Sequence, residues 1–124
     1  MQKNTRMEAN TLYTGDSHLL LDRVPDSSVD LIVCDVSFIS VTMILPALAA
    51  FGARMLILVK PQFEVGREQV GPGGIVRDPA LHEMACEKVG QAVRHLGFTK
   101  SVMPCPVKGA EGNQEFWLWA EREQ

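Results

Sequence analysis

Three charged residues stand beside apolar segments that could hold them still. Asp35 and Lys60 each end a run of apolar residues, and Glu115 immediately precedes one. In an open sheet of parallel strands, ligands bind beyond the carboxyl ends of the strands, so charges at two such ends can meet over one crevice. A third charge can join them if the last strand runs antiparallel, because its start then lies on the same rim. A carboxylate, an amine and a second carboxylate at one rim are the parts of a proton-transfer site.

Each of these residues also has a purely structural interpretation. Asp35 could cap a helix or form an ion pair at the end of a strand, and Lys60 could be an exposed strand terminus. The functional interpretation is favoured by Pro61, which directly follows Lys60 and would stiffen the turn that carries the amine. Ser37 could be drawn as a nucleophile, but no G-x-S-x-G turn surrounds it. The rival carboxylates, which we expect to be solvated, are Glu64, Glu68 and Glu111.

The composition is that of one ordinary globular domain. The chain has 124 residues, of which 46% are hydrophobic and 22% charged. A net charge of -3 argues against a domain that grips nucleic acid by itself. Cys34, Cys86 and Cys105 are far apart and odd in number, so we predict free thiols in a reducing cytoplasm rather than a metal site. No apolar stretch is long enough to span a membrane.

The first half of the chain predicts two strands around a helix. Residues 29–35 and 54–60 contain apolar residues without alternation, which is typical of strands buried on both faces of a sheet. Between them, apolar residues recur at helical spacing over residues 41–51, and Ser40 is a suitable N-cap. Pro46 weakens this helix unless it falls in the first turn.

A long glycine-containing segment and a well-marked helix follow. Residues 61–78 are predicted to form a loop, and loops of this length in compact domains are usually functional or mobile. The glycine run at residues 71–74 lacks the Gly-Lys-Ser/Thr sequence of a phosphate-binding loop. Asp78 and Pro79 suit the N-cap and first position of a helix that Gly97 would end.

The last part of the chain predicts two strands joined by a turn. Residues 98–103 and 116–120 should therefore pair antiparallel. This gives an α/β fold with a mainly parallel sheet and one antiparallel strand. Trp117 and Trp119 lie on one side of their strand, where they could form a base-stacking platform or, as we expect, pack in the core against the helix from Pro79.

Four segments resemble the haemolysin-A-like (TlyA) family. They are residues 35–40 (DVSFIS), 60–66 (KPQFEVG), 74–79 (GIVRDP) and 108–116, and the resemblance extends over about residues 7–120. These proteins are S-adenosylmethionine-dependent ribosomal RNA methyltransferases with an FtsJ-like Rossmann fold, and they methylate a cytidine ribose 2'-hydroxyl. The resemblance therefore implies this fold, this activity and a cytoplasmic protein.

The resemblance also implies roles for individual residues. The family's catalytic set is Lys-Asp-Lys-Glu, and motif by motif its Asp, second Lys and Glu correspond to Asp35, Lys60 and Glu115. Lys60 would take the proton of the ribose hydroxyl, while the two carboxylates orient it and Asp35 also lies close to the methyl donor. The cofactor would be S-adenosyl-L-methionine, with Asp16 and Asn10 as further contacts on its adenine side.

The sequence departs from the family pattern at its beginning. We identify no S4-type RNA-binding module, no first catalytic lysine and no glycine-rich cofactor loop. Residues 1–124 are thus expected to form the C-terminal part of a methyltransferase domain, a partial Rossmann-like fold without the first strands. Ribosomal RNA would be bound mainly through the missing module, and this chain alone should bind the cofactor poorly.

Two hypotheses follow for the activity of such a chain. It is a truncated rRNA (cytidine-2'-O-) methyltransferase with impaired activity, or a non-catalytic fragment or interaction module of a haemolysin-like protein. A role in membrane lysis would require an amphipathic or spanning segment, which we do not find. The strand at residues 29–35 would expose an apolar sheet edge, so we expect self-association through it.

Overall fold

A computed structural model describes residues 23–123 of the chain. One four-stranded sheet has the order β1-β2-β4-β3; β1 and β2 are parallel, and β4 is antiparallel to both β2 and β3. The expected α/β fold with one antiparallel strand is therefore confirmed. The main elements are β1 (Ile32–Cys34), α1 (Leu45–Leu48), β2 (Arg54–Val59), α2 (Pro61–Glu64), α3 (Pro79–His95), β3 (Thr99–Pro104) and β4 (Phe116–Glu121). Short 3-10 helices occupy Val41–Met43, Arg67–Gln69, Pro72–Gly74 and Ala110–Gly112.

The core lies between one face of the sheet and α3. Met55 and Ile57 of β2 and Leu118 and Ala120 of β4 have no accessible surface, because Val89 and its neighbours on α3 cover them. Further members of this core are Ile32, Cys34, Val41, Leu45, Ala49, Val59, Ala85, Val93 and Phe98. This apolar layer fixes β1, β2 and β4 side by side, and so fixes the ends from which the candidate site is built.

The strand expected at residues 29–35 is shorter and is not buried on both faces. Only Ile32–Cys34 forms β1, and its burial alternates: Ile32 and Cys34 face the core, whereas Val33 is 59% exposed. The reason is that none of residues 23–123 packs over the second face of β1, which lies at an edge of the described sheet. The expectation is met by β2, where Met55, Ile57, Leu58 and Val59 are all buried.

Trp117 and Trp119 do not pack against α3, contrary to expectation. Leu118 and Ala120 occupy the positions of β4 that face α3, and side chains alternate along a strand. The two tryptophans are consequently half-buried on the opposite face of the sheet. The error arose because the sequence shows which residues share a face but not which face the helix covers.

The helix α3 agrees with its expected ends. Asp78 accepts a hydrogen bond from the backbone N–H of Ala80 at 2.9 Å, and Pro79 takes the first helical position. Gly97 has φ +91°, the left-handed conformation that glycine adopts without steric cost after a helix. In this part of the chain the local signals in the sequence are strong enough to decide the structure.

The helix expected over residues 41–51 is split into two short pieces. The 3-10 helix Val41–Met43 is capped by Ser40, whose hydroxyl accepts from the N–H of Thr42 at 3.2 Å. The helix α1 follows, and Pro46 falls in its first turn, where no backbone hydrogen bond is lost.

Within residues 23–123, none of the helices combines the length and the apolar character needed to cross a membrane.

Candidate active site

Asp35 and Lys60 meet directly beyond the ends of two parallel strands. Asp35 follows β1 and Lys60 follows β2, and the register Cys34–Ile57 brings the two ends together. Lys60 Nζ lies 2.6 Å from Asp35 Oδ1, and it donates a hydrogen bond of 2.9 Å to Ser37 Oγ. The Lys60 side chain is only 13% exposed. The amine is therefore held by Asp35 and Ser37, which belong to the same loop. A catalytic site needs reactive groups that are fixed in this way.

Glu115 stands on the same rim as Lys60. The register of β2 and β4 pairs Val59 with Phe116, so the residues immediately beyond this pair, Lys60 and Glu115, are neighbours across the two strands. Glu115 is buried, and its Oε2 accepts a hydrogen bond from Gln62 Nε2 at 3.0 Å. A Cβ at Gly109 would collide with this carboxylate, so a larger residue there would displace the Glu115 side chain from its present position.

Gln62 is a site residue that the sequence analysis did not single out. It belongs to α2, two residues after Lys60, and it links that turn to the Glu115 carboxylate. The orientation of its amide is fixed by this contact, because a carboxylate can only accept. The signal was present in the KPQFE motif, but an uncharged amide between charged residues gives no indication of its partner.

Glu64 is buried, and the expectation of a solvated side chain was wrong. Its two oxygens receive a hydrogen bond from Ser40 Oγ at 2.6 Å and one from the N–H of Val41 at 2.9 Å. Lys88 of α3 forms an ion pair with it at 3.2 Å. These partners lie 23 and 24 residues away along the chain, so the sequence does not reveal them. Glu68 and Glu111 are exposed, as expected.

Phe38 is an exposed aromatic residue beside the ion pair. It lies three residues after Asp35, is 87% exposed, and has φ +70°, a conformation unusual for a residue other than glycine. Its ring contacts that of Phe63, three residues after Lys60, with 5.1 Å between the centroids. Exposed, strained residues of this kind cluster at ligand sites. The sequence does not reveal this, because a phenylalanine between apolar residues is ordinarily a core residue.

The structure brings together some of the expected site residues and leaves others outside its range. Asp35, Lys60 and Glu115 stand on one rim, with the ion pair between the first two and Gln62 bound to the third. Asn10 and Asp16, the expected contacts on the adenine side of the cofactor, lie outside the described residues.

A comparison with known families identifies this arrangement. The family model described as FtsJ-like methyltransferase matches residues 2–122. The chain belongs to the FtsJ-like methyltransferase family. This confirms the resemblance stated above, and membership implies S-adenosyl-L-methionine as the family's cofactor.

Named relatives cover most of this chain. It is 46% identical over 95 residues to the 16S/23S rRNA (cytidine-2'-O)-methyltransferase TlyA of Mycobacterium tuberculosis, covering 73% of this chain and 35% of that protein. It is 38% identical over 95 residues to Hemolysin A of Brachyspira hyodysenteriae, covering 73% of this chain and 40% of that protein. The crystal structure of a "putative hemolysin" from Lactococcus lactis is similar, with a TM-score of 0.76 at 40% identity, covering 83% of this chain and 51% of that one. The chain thus spans well under half the length of these curated relatives.

Proposed function

We propose that this chain carries the acceptor side of an S-adenosyl-L-methionine-dependent rRNA (cytidine-2'-O) methyltransferase site, with slow turnover by the chain alone. The observation that carries the proposal is the fixed amine of Lys60, held by Asp35 at 2.6 Å and by Ser37 at 2.9 Å on a rim shared with Glu115. The names of the TlyA relatives supply the substrate class.

Lys60 is the proton acceptor in this proposal. A ribose hydroxyl is a weak nucleophile, and a positioned amine that removes its proton lowers the barrier to attack. The amine must be neutral when it accepts this proton. Ser37 and Asp35 restrict the amine to one position. The entropy lost in orienting the amine therefore no longer adds to the barrier of the reaction. In this proposal, Lys60 aligns the ribose hydroxyl and removes its proton, and this is what the chain contributes to the chemistry.

The two carboxylates have different roles. When bound, S-adenosyl-L-methionine supplies an electrophilic methyl group on a positively charged sulfur. Asp35 is an exposed carboxylate at the rim, so its negative charge fits a cationic donor beside it. Glu115 is buried and fixed by Gln62, and it supplies a second negative charge on the same rim as the amine. The donor set of the rim is thus compatible with a sulfonium cofactor.

Phe38 supports an RNA substrate. Its exposed ring lies within a few residues of the ion pair, and nucleobases stack on exposed aromatic side chains with about 1–3 kcal/mol per base. The chain is acidic overall, with a net charge of -3, so binding through stacking at the rim would have to supplement weak phosphate contacts.

The test is methyl transfer from tritiated S-adenosyl-L-methionine, at millimolar concentration, to transcribed 16S and 23S rRNA. We expect slow incorporation at a cytidine 2'-oxygen, located by mass spectrometry of nuclease digests. Lys60→Met should lower the rate by about 100-fold or more, because general-base catalysis is lost. Lys100→Met, on β3 away from the rim, is the matched control and should keep the parental rate. A parental rate in Lys60→Met, or a methyl group on a base atom, would refute the assignment.

Calorimetric titration with S-adenosylhomocysteine separates this proposal from the non-catalytic alternative. We expect weak binding, with a Kd in the range of about 0.1–1 mM, which corresponds to roughly 4–5.5 kcal/mol of binding free energy. No heat of binding together with no methyl transfer would favour an interaction module, the hypothesis that the Hemolysin A relative represents.

A further inference from the structure

The buried carboxylate of Glu64 joins three parts of the chain behind the ion pair. Its side chain is only 2% exposed. Oε1 accepts a hydrogen bond from Ser40 Oγ at 2.6 Å and pairs with Lys88 Nζ at 3.2 Å, while Oε2 accepts from the N–H of Val41 at 2.9 Å. Lys88 Nζ also donates to the backbone carbonyl of Glu64 at 2.9 Å. Both oxygens of the carboxylate are therefore satisfied, as a buried charge requires.

These contacts connect two segments that are already joined at their other ends. The segment at residues 35–41 begins with Asp35 and Ser37, which hold the Lys60 amine, and ends with the partners of Glu64. The segment at residues 60–64 begins with Lys60 and ends with Glu64 itself. The two segments are thus joined by two sets of contacts. The contacts of Lys60 lie at the exposed rim, and the contacts of Glu64 are buried.

The buried contact determines where the exposed one can form. The loop at residues 35–41 follows a strand of only three residues, and it includes Phe38 with its unfavourable φ of +70°. Such a loop does not hold one geometry by local preference, so it needs a contact elsewhere. Glu64 supplies it, and Lys88 ties the same carboxylate to the long helix α3.

We propose that Glu64 is a positioning residue that fixes Asp35 and Ser37 against the amine of Lys60. It does not touch substrate or cofactor, and it acts through the loop at residues 35–41. Its charge and its length are both required. A glutamine could still accept from the N–H of Val41, but it would place an N–H group against the Lys88 ammonium, which can only donate, and it would remove the charge of the ion pair. An aspartate is one methylene too short to reach these partners. The proposal rests on the proposed function for its kinetic consequence but not for its structural one.

The structural consequence is tested without catalysis, by NMR of the lysine side chains. The Lys60 ammonium should give a 1H–15N signal that exchanges slowly with water, because its protons are bound to Asp35 and Ser37. In Glu64→Gln we expect this exchange to be faster by about fivefold or more, since the loop opens locally. Glu68→Gln changes an exposed carboxylate four residues further along the chain and should leave the exchange unchanged. Equal exchange in the parental chain and Glu64→Gln would overturn the proposal.

The kinetic consequence is tested by the methyl-transfer assay. Glu64→Gln should lower kcat by about 10- to 100-fold while the KM for RNA changes by less than about twofold, because only the alignment of the amine is lost. A rise in KM with kcat unchanged would mean a substrate-binding role and would refute positioning. If the parental chain transfers no methyl group, the proposed function fails, and the NMR experiment still decides the role of Glu64.

A milder variant tests the proposal in case Glu64→Gln does not fold. Ser40→Ala removes the contact at 2.6 Å, together with the cap of the 3-10 helix Val41–Met43, and leaves the Glu64 carboxylate with Val41 and Lys88. We expect the same direction of change in Lys60 exchange and in kcat, with a smaller size. Normal exchange in Ser40→Ala, together with a Glu64→Gln chain that is unfolded by circular dichroism, would overturn the proposal, because Glu64 would then serve the fold alone.

Discussion

Lys60 owes its fixed position to neighbouring side chains and not to its own flexible stem. A lysine side chain loses about 2 kcal/mol of rotamer entropy when it is held in one geometry. Here that cost is met on folding, because Asp35 and Ser37 bind the amine before any substrate arrives. The apolar run that ends at Val59 is buried, so the backbone beneath the amine is rigid as well. Rigid support of this kind is what a proton acceptor needs.

Cys86 gives a prediction at the residue scale. Burial raises the pKa of its thiol to about 11, with Glu83 adding to the rise and Lys100 opposing it. At pH 8 we therefore expect iodoacetamide to alkylate Cys86 about 100-fold more slowly in the folded chain than in urea, because the thiolate is the nucleophile. Mass spectrometry of tryptic peptides measures the rate in each of the two solutions. Equal rates in the two states would contradict the prediction.

The same raised pKa sets the sign of a pH effect on stability. In the unfolded chain the Cys86 thiol loses its proton first as the pH rises, so ionisation favours unfolding. Its contribution to the free energy of unfolding is thus intact at neutral pH and declines between about pH 9 and pH 11, the folded-state pKa. Cys34 acts in the same direction, because burial and the nearby charge of Asp35 raise the pKa of its thiol.

The residues of the rim were predictable to different degrees. Asp35, Lys60 and Glu115 could be selected because each adjoins an apolar strand. The ends of two parallel strands and the start of an antiparallel one lie on the same rim. Their roles in catalysis remain predictions. Glu64 could not be recognised, since burial of a carboxylate depends on donors that only the folded chain provides. Gln62 has the same limitation, because its partner lies 53 residues away along the chain.

At the scale of elements, local signals succeeded and long-range ones failed. The helix α3 begins and ends where Asp78, Pro79 and Gly97 predict, because capping and turn conformation are decided by a few adjacent residues. The strand β1 was expected to be buried on both faces, and its exposed Val33 shows that it is not. An apolar run shows that a strand can be buried, whereas the number of layers that cover it is a property of the whole sheet.

The cap of α3 gives a prediction at this scale. Asp78→Ala removes the acceptor for the N–H of Ala80, and we expect the free energy of unfolding to fall by about 1 kcal/mol. Asp78→Asn keeps an acceptor oxygen in the same place, so it should retain most of the stability. Urea denaturation followed by circular dichroism at 222 nm compares the three chains. Equal losses in the alanine and asparagine variants would mean that the charge, and not the hydrogen bond, stabilises this end.

At the scale of the whole molecule, the two faces of the sheet differ in how far other elements cover them. One face carries α3 and the core, and the other carries exposed or half-buried apolar residues. On this second face lie Leu31, Val33, Leu56, Met103, Trp117 and Trp119. Among the described residues, β1 and β3 form the two edges of the sheet. Unpaired N–H and C=O groups at an edge next to apolar side chains favour pairing with another chain.

Self-association through β1 is the prediction that follows from this arrangement. We expect sedimentation velocity to show dimers or larger species whose proportion rises between about 10 and 300 µM, as weak interfaces with a Kd in this range do. Val33→Lys introduces a charge on the edge strand and should return the chain to a monomer, because lysines at sheet edges oppose pairing. Met43→Lys is the matched control: Met43 is 72% exposed but lies in a 3-10 helix away from the sheet. If both lysine variants lower association equally, the cause is the net charge and not the sheet edge. A parental chain that stays monomeric over the whole concentration range would refute the interface.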